Sequence, residues 1–322
     1  MRFALTVLLL YYIPMEKVLE GKTLSQKILA SLPERIARVS ARAGRPPLLA
    51  IINYFDDSPS GIYVKRKIAA CGKLGIQVRM LKPDPRQGLA GLLSLLSQLK
   101  ADTEVDAVMI ERPLPEGFEV PAMWDAIPAD KDVDALSSAN MGRLFISKTA
   151  DWERAGFFVP CTALAAVRLL KFHNIEIKGK RIAVAGRSAV VGRPLAHMLT
   201  NLDATVTVCH TKTRDIPSIF KASDIVISAV GKVRWLKADM LAPEATVIDV
   251  GTNIDENGRM CGDADFDGLK DMVKALTPVP GGVGPVTLAC LLEASVKAAE
   301  NRMGGVSDEG REEKHFEKGT LL

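Results

Sequence analysis

Short β-branched apolar runs alternate along the chain with longer amphipathic segments, the pattern of βαβ units wound around a parallel sheet. Residues 48–54, 76–81 and 105–110 predict strands, and residues 62–74 and 89–99 predict the helices between them. In the second helix Leu89, Leu92, Leu93, Leu95, Leu96 and Leu99 form a broad apolar face. A second series of strands runs through 181–185, 204–209, 224–230, 245–250 and 273–276. Each run is short and nearly uniformly apolar, which predicts strands buried on both faces. A last helix over 286–299 follows a Pro/Gly turn and is expected to pack back on the first unit. There is no internal repeat, and the fold class is α/β in two domains.

The two ends break this pattern. Residues 1–14 hold one Arg and then an apolar run from Phe3 to Ile13, too short for a membrane span of about 20 residues. Two readings stand: a signal peptide, or a start read too early with Met15 opening the working protein. The lack of a small-x-small cleavage site around Pro14 and Met15 weighs toward the second. Residues 304–322 are charged and poor in apolar side chains, which predicts a mobile tail.

Composition narrows the partners. The 322 residues are 48% hydrophobic and 25% charged, values of a soluble globular chain with room for two cores. A net charge of +4 without dense Lys/Arg blocks argues against nucleic acid. Cys71, Cys161, Cys209, Cys261 and Cys290 are widely spaced and odd in number, so no disulfide framework is expected and a reducing, cytoplasmic setting is. The four histidines share no metal-ligand spacing with them, and no metal site is assigned.

Candidate chemistry begins where the strand 181–185 runs into Gly186-Arg187-Ser188 and then Val191-Gly192-Arg193-Pro194. A strand, a glycine turn and a helix N-terminus in that order suit a phosphate, because glycine admits close approach and the first helical N–H groups face the ligand. Six residues separate the two glycines, so this is not the usual G-x-G-x-x-G, and an ordinary βα turn remains the competing reading. The next strand ends in His210-Thr211-Lys212-Thr213, with no carboxylate to repel a 2′-phosphate. That ending, with Arg187 nearby, favours NADP over NAD. In the first unit, i, i+4 spacing puts Tyr63 and Lys67 on one helix face. They are either an acid/base pair or part of a solvated lysine-rich surface.

Taken together, several segments resemble the bifunctional methylenetetrahydrofolate dehydrogenase/cyclohydrolase family. They are Tyr63-Val64-x-x-Lys67, Arg112-Pro113-Leu114-Pro115, Lys131-Asp132-Val133-Asp134, Pro160-Cys161-Thr162, the Gly186 turn, Asp249-Val250-Gly251-x-Asn253, Gly262-Asp263, and Thr277 through Gly281-Gly282-Val283-Gly284-Pro285. The likeness covers residues 15–303. It implies a folate-binding catalytic domain over 15–150 completed by the helix 286–303, an NADP-binding Rossmann domain over 151–285, an active-site cleft between them, and a homodimer. It also implies interconversion of 5,10-methylene- and 5,10-methenyltetrahydrofolate with NADP, and hydrolysis of the methenyl form to 10-formyltetrahydrofolate. By the same resemblance Lys67 is the catalytic lysine, Tyr63 stacks on the folate, and Asp134 anchors the pterin. Gly281, Gly282, Gly284 and Pro285 wall the substrate site, while Gly186, Arg187, Ser188, Thr211 and the backbone of Thr252 hold the cofactor. The alternatives are a folate- or NADP-binding relative without turnover, a shikimate-type dehydrogenase, which the Pro/Gly loop argues against, and an exported protein using residues 1–14.

The chain departs from the family's pattern at three points. Ala135 stands where a glycine usually follows the second Asp, Ala163 where a second proline ends Pro-Cys-Thr-Pro, and Glu111 where a glutamine usually neighbours the catalytic lysine. A carboxylate at 111 favours the ammonium of Lys67 over the free amine that would serve as base. Glu111 therefore joins the candidate catalytic set, with weakened hydrolysis or a higher pH optimum expected. Arg112 is the complication, since pairing with Glu111 would cancel its field, although neighbours on a strand point to opposite faces.

Overall fold

The computed structural model describes residues 17–55 and 59–303, with the side chains of its third helix described from Val64 onward. The expectations for residues 1–14 and 304–322, and for the Tyr63 side chain, fall outside what is described. Two helices, α1 (Lys22–Ala30) and α2 (Leu32–Ala43), lead into the first βαβ series: β1 (Leu48–Ile52), α3 (Pro59–Leu74), β2 (Gln77–Leu81), α4 (Gly88–Ala101) and β3 (Ala107–Ile110). The strands are parallel in the order β2-β1-β3. Their register sets Ile52 beside Leu81 and Ile110, so all three end together, and Asn53 and Glu111 follow at the carboxyl edge. The all-apolar β1 and β3 are buried along their whole length, whereas β2, an edge strand, is not.

Helices α5 (Pro121–Ala126), α6 (Ser138–Ile146) and α7 (Cys161–Phe172) lead to the second series. It comprises β4 (Arg181–Ala185), α8 (Gly192–Thr200), β5 (Thr205–Cys209), α9 (Ile216–Lys221), β6 (Ile225–Ser228), β7 (Thr246–Asp249), the short hairpin β8 (Asn253–Ile254) and β9 (Met260–Cys261), α10 (Phe266–Leu269) and β10 (Ala275–Leu276). The sheet is parallel, in the order β10-β7-β6-β4-β5. The order reverses at β4, which lies between β5 and β6. Such a switch point opens a ligand crevice beyond the strand carboxyl ends.

One expectation fails here. β5 was expected to be buried on both faces, yet Thr205, Thr207 and Val208 are exposed. As the last strand of its sheet it is paired by β4 on one side, and its alternating Thr-Val-Thr-Val composition fits a half-covered strand. All five cysteines are buried and unpaired. No helix of the described residues is long and apolar enough to cross a membrane.

The final helix α11 (Val283–Met303) is longer than its apolar run predicts. It lies against α7, α1 and α2, with Val286, Ala289, Leu292, Val296 and Ala299 fully buried. Charge fastens it along its length. Arg168 meets Glu293 at 2.6 Å, and Arg35 meets Glu300 at 2.7 Å. The Lys297 amine donates to the Ala155 carbonyl at 2.8 Å, and burial lowers its pKa to about 8. At the end of α11, Arg302 and Arg45 both reach the buried Asp106, which also accepts the Leu48 N–H at 2.9 Å as β1 begins. Removing this carboxylate leaves the Leu48 N–H without its acceptor and two guanidinium groups without their counter-charge, holding only backbone carbonyls. Asp106→Ala should therefore destabilise the fold by about 3 kcal/mol, at the low end for a broken buried pair because both arginines keep some solvent contact. Urea unfolding would measure the loss, and an unchanged midpoint would contradict this role.

Candidate active site

The side chain of Lys67 projects from α3 to the carboxyl edge of the first sheet, where its amine lies 2.5 Å from Glu111 Oε2. The two side chains are only 16% and 9% exposed, so water screens the pair weakly. Glu111 is held there by its backbone, whose N–H donates to the Ile52 carbonyl at 2.8 Å. Arg112 does not cancel the charge. It turns to the other face, pairs with Glu119 through Nε at 3.1 Å, and lies over the Trp124 ring. The complication is decided by partners beyond the end of β3: Glu111 takes Lys67 and Arg112 takes Glu119. Tyr63 lies one turn before Lys67 on α3.

Asp134 occupies the turn between α5 and α6 and accepts the Cys161 N–H at 3.2 Å. Burial raises its pKa to about 6, opposed by that hydrogen bond and by the Lys67 charge. The neighbouring Asp132 has a structural task. It is 2% exposed and accepts the Leu136 and Ser137 N–H groups at 2.9 and 2.7 Å and Asn140 Nδ2 at 3.0 Å. Lys131 likewise spends its amine on the carbonyls of Leu99 and Asp102, at 2.7 and 2.6 Å. Directly after Asp134, Ala135 has φ 51°. This left-handed position explains why a glycine is at home there, and alanine holds it at a cost of about 1 kcal/mol.

The predicted cofactor residues gather at the switch point of the second sheet. Gly186 leaves β4 with φ 115°, and a Cβ on it would stand 2.4 Å from the Ala229 carbonyl oxygen in the loop after β6. Ser188 Oγ accepts the Val191 N–H at 3.2 Å, shaping the turn into α8. Val190 of this turn packs against the Ile52, Ile110 and Leu114 cluster of the first unit, which brings the turn to the folate side. Arg187, Thr211 and Thr252 are exposed along the same edge. After β5 the backbone closes on itself, with the His210 N–H on Thr213 Oγ1 at 2.9 Å and the Lys212 N–H on His210 Nδ1 at 3.1 Å. Basic side chains and no carboxylate follow β5. A backbone cradle with no room for a Cβ, a helix N-terminus and a basic rim fit a phosphorylated dinucleotide.

The expected substrate wall is part loop, part helix. Gly281 has φ 115° and its carbonyl accepts the Gly21 N–H at 2.8 Å, while Gly282 is buried. Gly284 and Pro285, expected in the same loop, belong to the first turn of α11. Proline tolerates that position because the first helical N–H groups have no intrahelical acceptor.

Sequence reasoning assigned no role to the two acids behind these loops. Asp249 ends β7 at 2% exposure and accepts the N–H groups of Gly251, Asp263 and Ala264 at 2.9, 3.1 and 2.8 Å. Burial raises its pKa to about 7. Its own N–H donates to Thr277 Oγ1 at 2.7 Å, at the start of the substrate wall. The one available signal was a carboxylate closing the apolar run Thr246-Val247-Ile248.

Comparison with known proteins agrees with this geometry. Residues 19–134 match the model of the tetrahydrofolate dehydrogenase/cyclohydrolase catalytic domain, and residues 160–303 match that of the NAD(P)-binding domain. The bifunctional protein FolD of Elusimicrobium minutum is 44% identical over 287 residues, 89% of this chain and 100% of that protein. The crystal structure of the bifunctional FolD of Campylobacter jejuni superposes with a TM-score of 0.82 at 38% identity, over 88% of this chain and 99% of its own. The Trypanosoma brucei enzyme complexed with NADP cofactor and inhibitor gives 0.80 at 34% identity, over 88% and 97%. The chain belongs to the tetrahydrofolate dehydrogenase/cyclohydrolase family.

Proposed function

We propose that this enzyme interconverts 5,10-methylene- and 5,10-methenyltetrahydrofolate with NADP and hydrolyses the methenyl form to 10-formyltetrahydrofolate. The observation that carries the reading is the carboxyl-edge cluster of Lys67, Glu111 and Asp134, together with a glycine turn that packs on the same unit. In this reading residues 15–150 with the helix 286–303 bind folate, and residues 151–285 bind NADP. Lys67 is the catalytic lysine, Tyr63 stacks on the folate, and Asp134 accepts hydrogen bonds from the pterin N–H groups. The Gly281, Gly282, Gly284 and Pro285 wall confines the substrate, while Gly186, Arg187, Ser188, Thr211 and Thr252 hold the cofactor. NADP supplies the hydride acceptor when bound, and the chain's part in that step is positioning. Hydrolysis asks more of the side chains, because a water must lose a proton and an amine must gain one. Purified protein given methylenetetrahydrofolate should form NADPH far faster with NADP than NADH with NAD, and should hydrolyse methenyltetrahydrofolate without either. Equal rates with the two cofactors would refute the assignment of the basic rim.

Glu111 sets the balance between the two reactions. Hydride transfer needs no base, whereas the Lys67 amine that would move a proton in hydrolysis is engaged by the Glu111 carboxylate at 2.5 Å. Lys67→Met, which keeps the apolar stem, should abolish hydrolysis in a folded enzyme. Glu111→Gln should raise the ratio of hydrolysis to dehydrogenation severalfold, because a neutral amide no longer holds the Lys67 amine in an ion pair. The acid limb near pH 6 should persist in both proteins, because pterin anchoring requires the Asp134 carboxylate and is lost as pH falls through about 6. An unchanged ratio across the profile would dismiss Glu111 from the mechanism.

We also infer a cytoplasmic homodimer. The five buried free thiols support the compartment, and the open outer edge of β5 supports association. Light scattering should return about twice the 34.8 kDa chain mass. A mass of one chain at working concentration would refute the dimer.

A further inference from the structure

We propose that Asp263 is a positioning residue for the dinucleotide, holding together the two loops that shape the crevice beside Gly186. The inference rests on the dehydrogenase reading above. Asp263 is fully buried and its carboxylate is satisfied by neutral donors. It accepts Ser228 Oγ at 2.8 Å and the N–H groups of Val230, Gly231 and Lys232 at 2.7, 3.3 and 2.9 Å, all at or just beyond the end of β6. It also accepts Asn253 Nδ2 at 3.0 Å, from the loop after β7 that carries Thr252. One carboxylate therefore ties together the carboxyl ends of two neighbouring strands.

The consequence reaches the cofactor cradle through backbone. Ala229, between Ser228 and Val230, puts its carbonyl where a Cβ of Gly186 would be, so the β6 loop forms one wall of the glycine turn. A loop held by three N–H bonds to a charged acceptor is fixed in place, since hydrogen bonds to charged groups are the strong ones. The second loop has no freedom to move toward the first, because a Cβ on Gly251 would stand 2.1 Å from Asp263 Oδ1. Asp263 accepts hydrogen bonds from Ser228, Val230, Gly231, Lys232 and Asn253, none of which belongs to the assigned cofactor set. Its effect should thus appear in dinucleotide affinity and not in the chemistry on the folate side.

The test titrates NADP calorimetrically into the parent, Asp263→Asn and Ser228→Ala enzymes, and measures both activities. Asp263→Asn is nearly isosteric but turns an NH2 group toward N–H donors, so the NADP dissociation constant should rise about tenfold, and Ser228→Ala, which loses one donor, should raise it about threefold. The KM for NADP should follow, while kcat and NADP-free hydrolysis of methenyltetrahydrofolate stay within about twofold. Unchanged NADP affinity in the folded variants would overturn the proposal, and so would a parallel fall in hydrolysis and dehydrogenation, the mark of a merely structural role. If Asp263→Asn does not fold, Ser228→Ala decides alone: parent-like affinity overturns the proposal and a selective loss of affinity supports it. A parent that binds no NADP overturns the dehydrogenase reading and this inference together, whereas a parent that binds it while the folded variants match it overturns only this one.

Discussion

The site depends on a helix that belongs to one half of the sequence and packs against the other. α11 begins at the Gly281–Gly282 turn and ends where Arg302 meets Asp106 at the foot of β1. Its small and branched side chains bury it against α7, α1 and α2. The Gly281–Gly282 loop is therefore held from both sides, by the helix packed on α1, α2 and α7 and by the Asp249 N–H on Thr277 Oγ1 at 2.7 Å. The ion pairs along the rod contribute orientation more than stability, since the desolvation cost of buried charge offsets much of their attraction.

With that frame set, the chemistry collects where parallel strands end. Peptide groups beyond the last ladder bond have free donors and acceptors, and side chains there are released from the sheet's alternation. Glu111 follows β3, Gly186 follows β4 and Asp249 ends β7. The first meets a lysine, the second leaves room for phosphate, and the third organises the loops between. In the first unit the charges are a matched pair, which keeps Lys67 in place. In the second unit the buried carboxylates lean on backbone N–H groups, so they shape loops without adding a reactive group.

The departures from the family's pattern differ in weight. Ala163 is buried in the first turn of α7 and replaces one tolerated residue by another. Ala135 carries a local backbone cost because its φ is positive. Glu111 alone alters charge beside a reactive amine, and in a weakly screened site that outweighs either backbone change.

Much of this protein was legible in one dimension. The strand β4 has the bounds its apolar run predicts, and β1, β3, β6 and β7 fall inside theirs, because period and composition are local properties that the chain displays at every position. The Gly186 turn and the Lys67 helix were likewise readable, since each lies within about ten residues of sequence. What tertiary structure alone decided is every pairing across the chain. The spacing of 44 residues between Lys67 and Glu111 does not by itself imply a contact; the family resemblance made them neighbours, and only the structure gave the 2.5 Å distance and turned Arg112 to Glu119 instead. The exposure of β5 followed from its place at the end of the sheet order, which its Thr-Val-Thr-Val composition permits but does not impose. Asp249 and Asp263 acquired their roles only when the loops after β6 and β7 came within hydrogen-bonding distance, because a carboxylate's partners are set by distance in space while its position in the chain fixes only its own backbone.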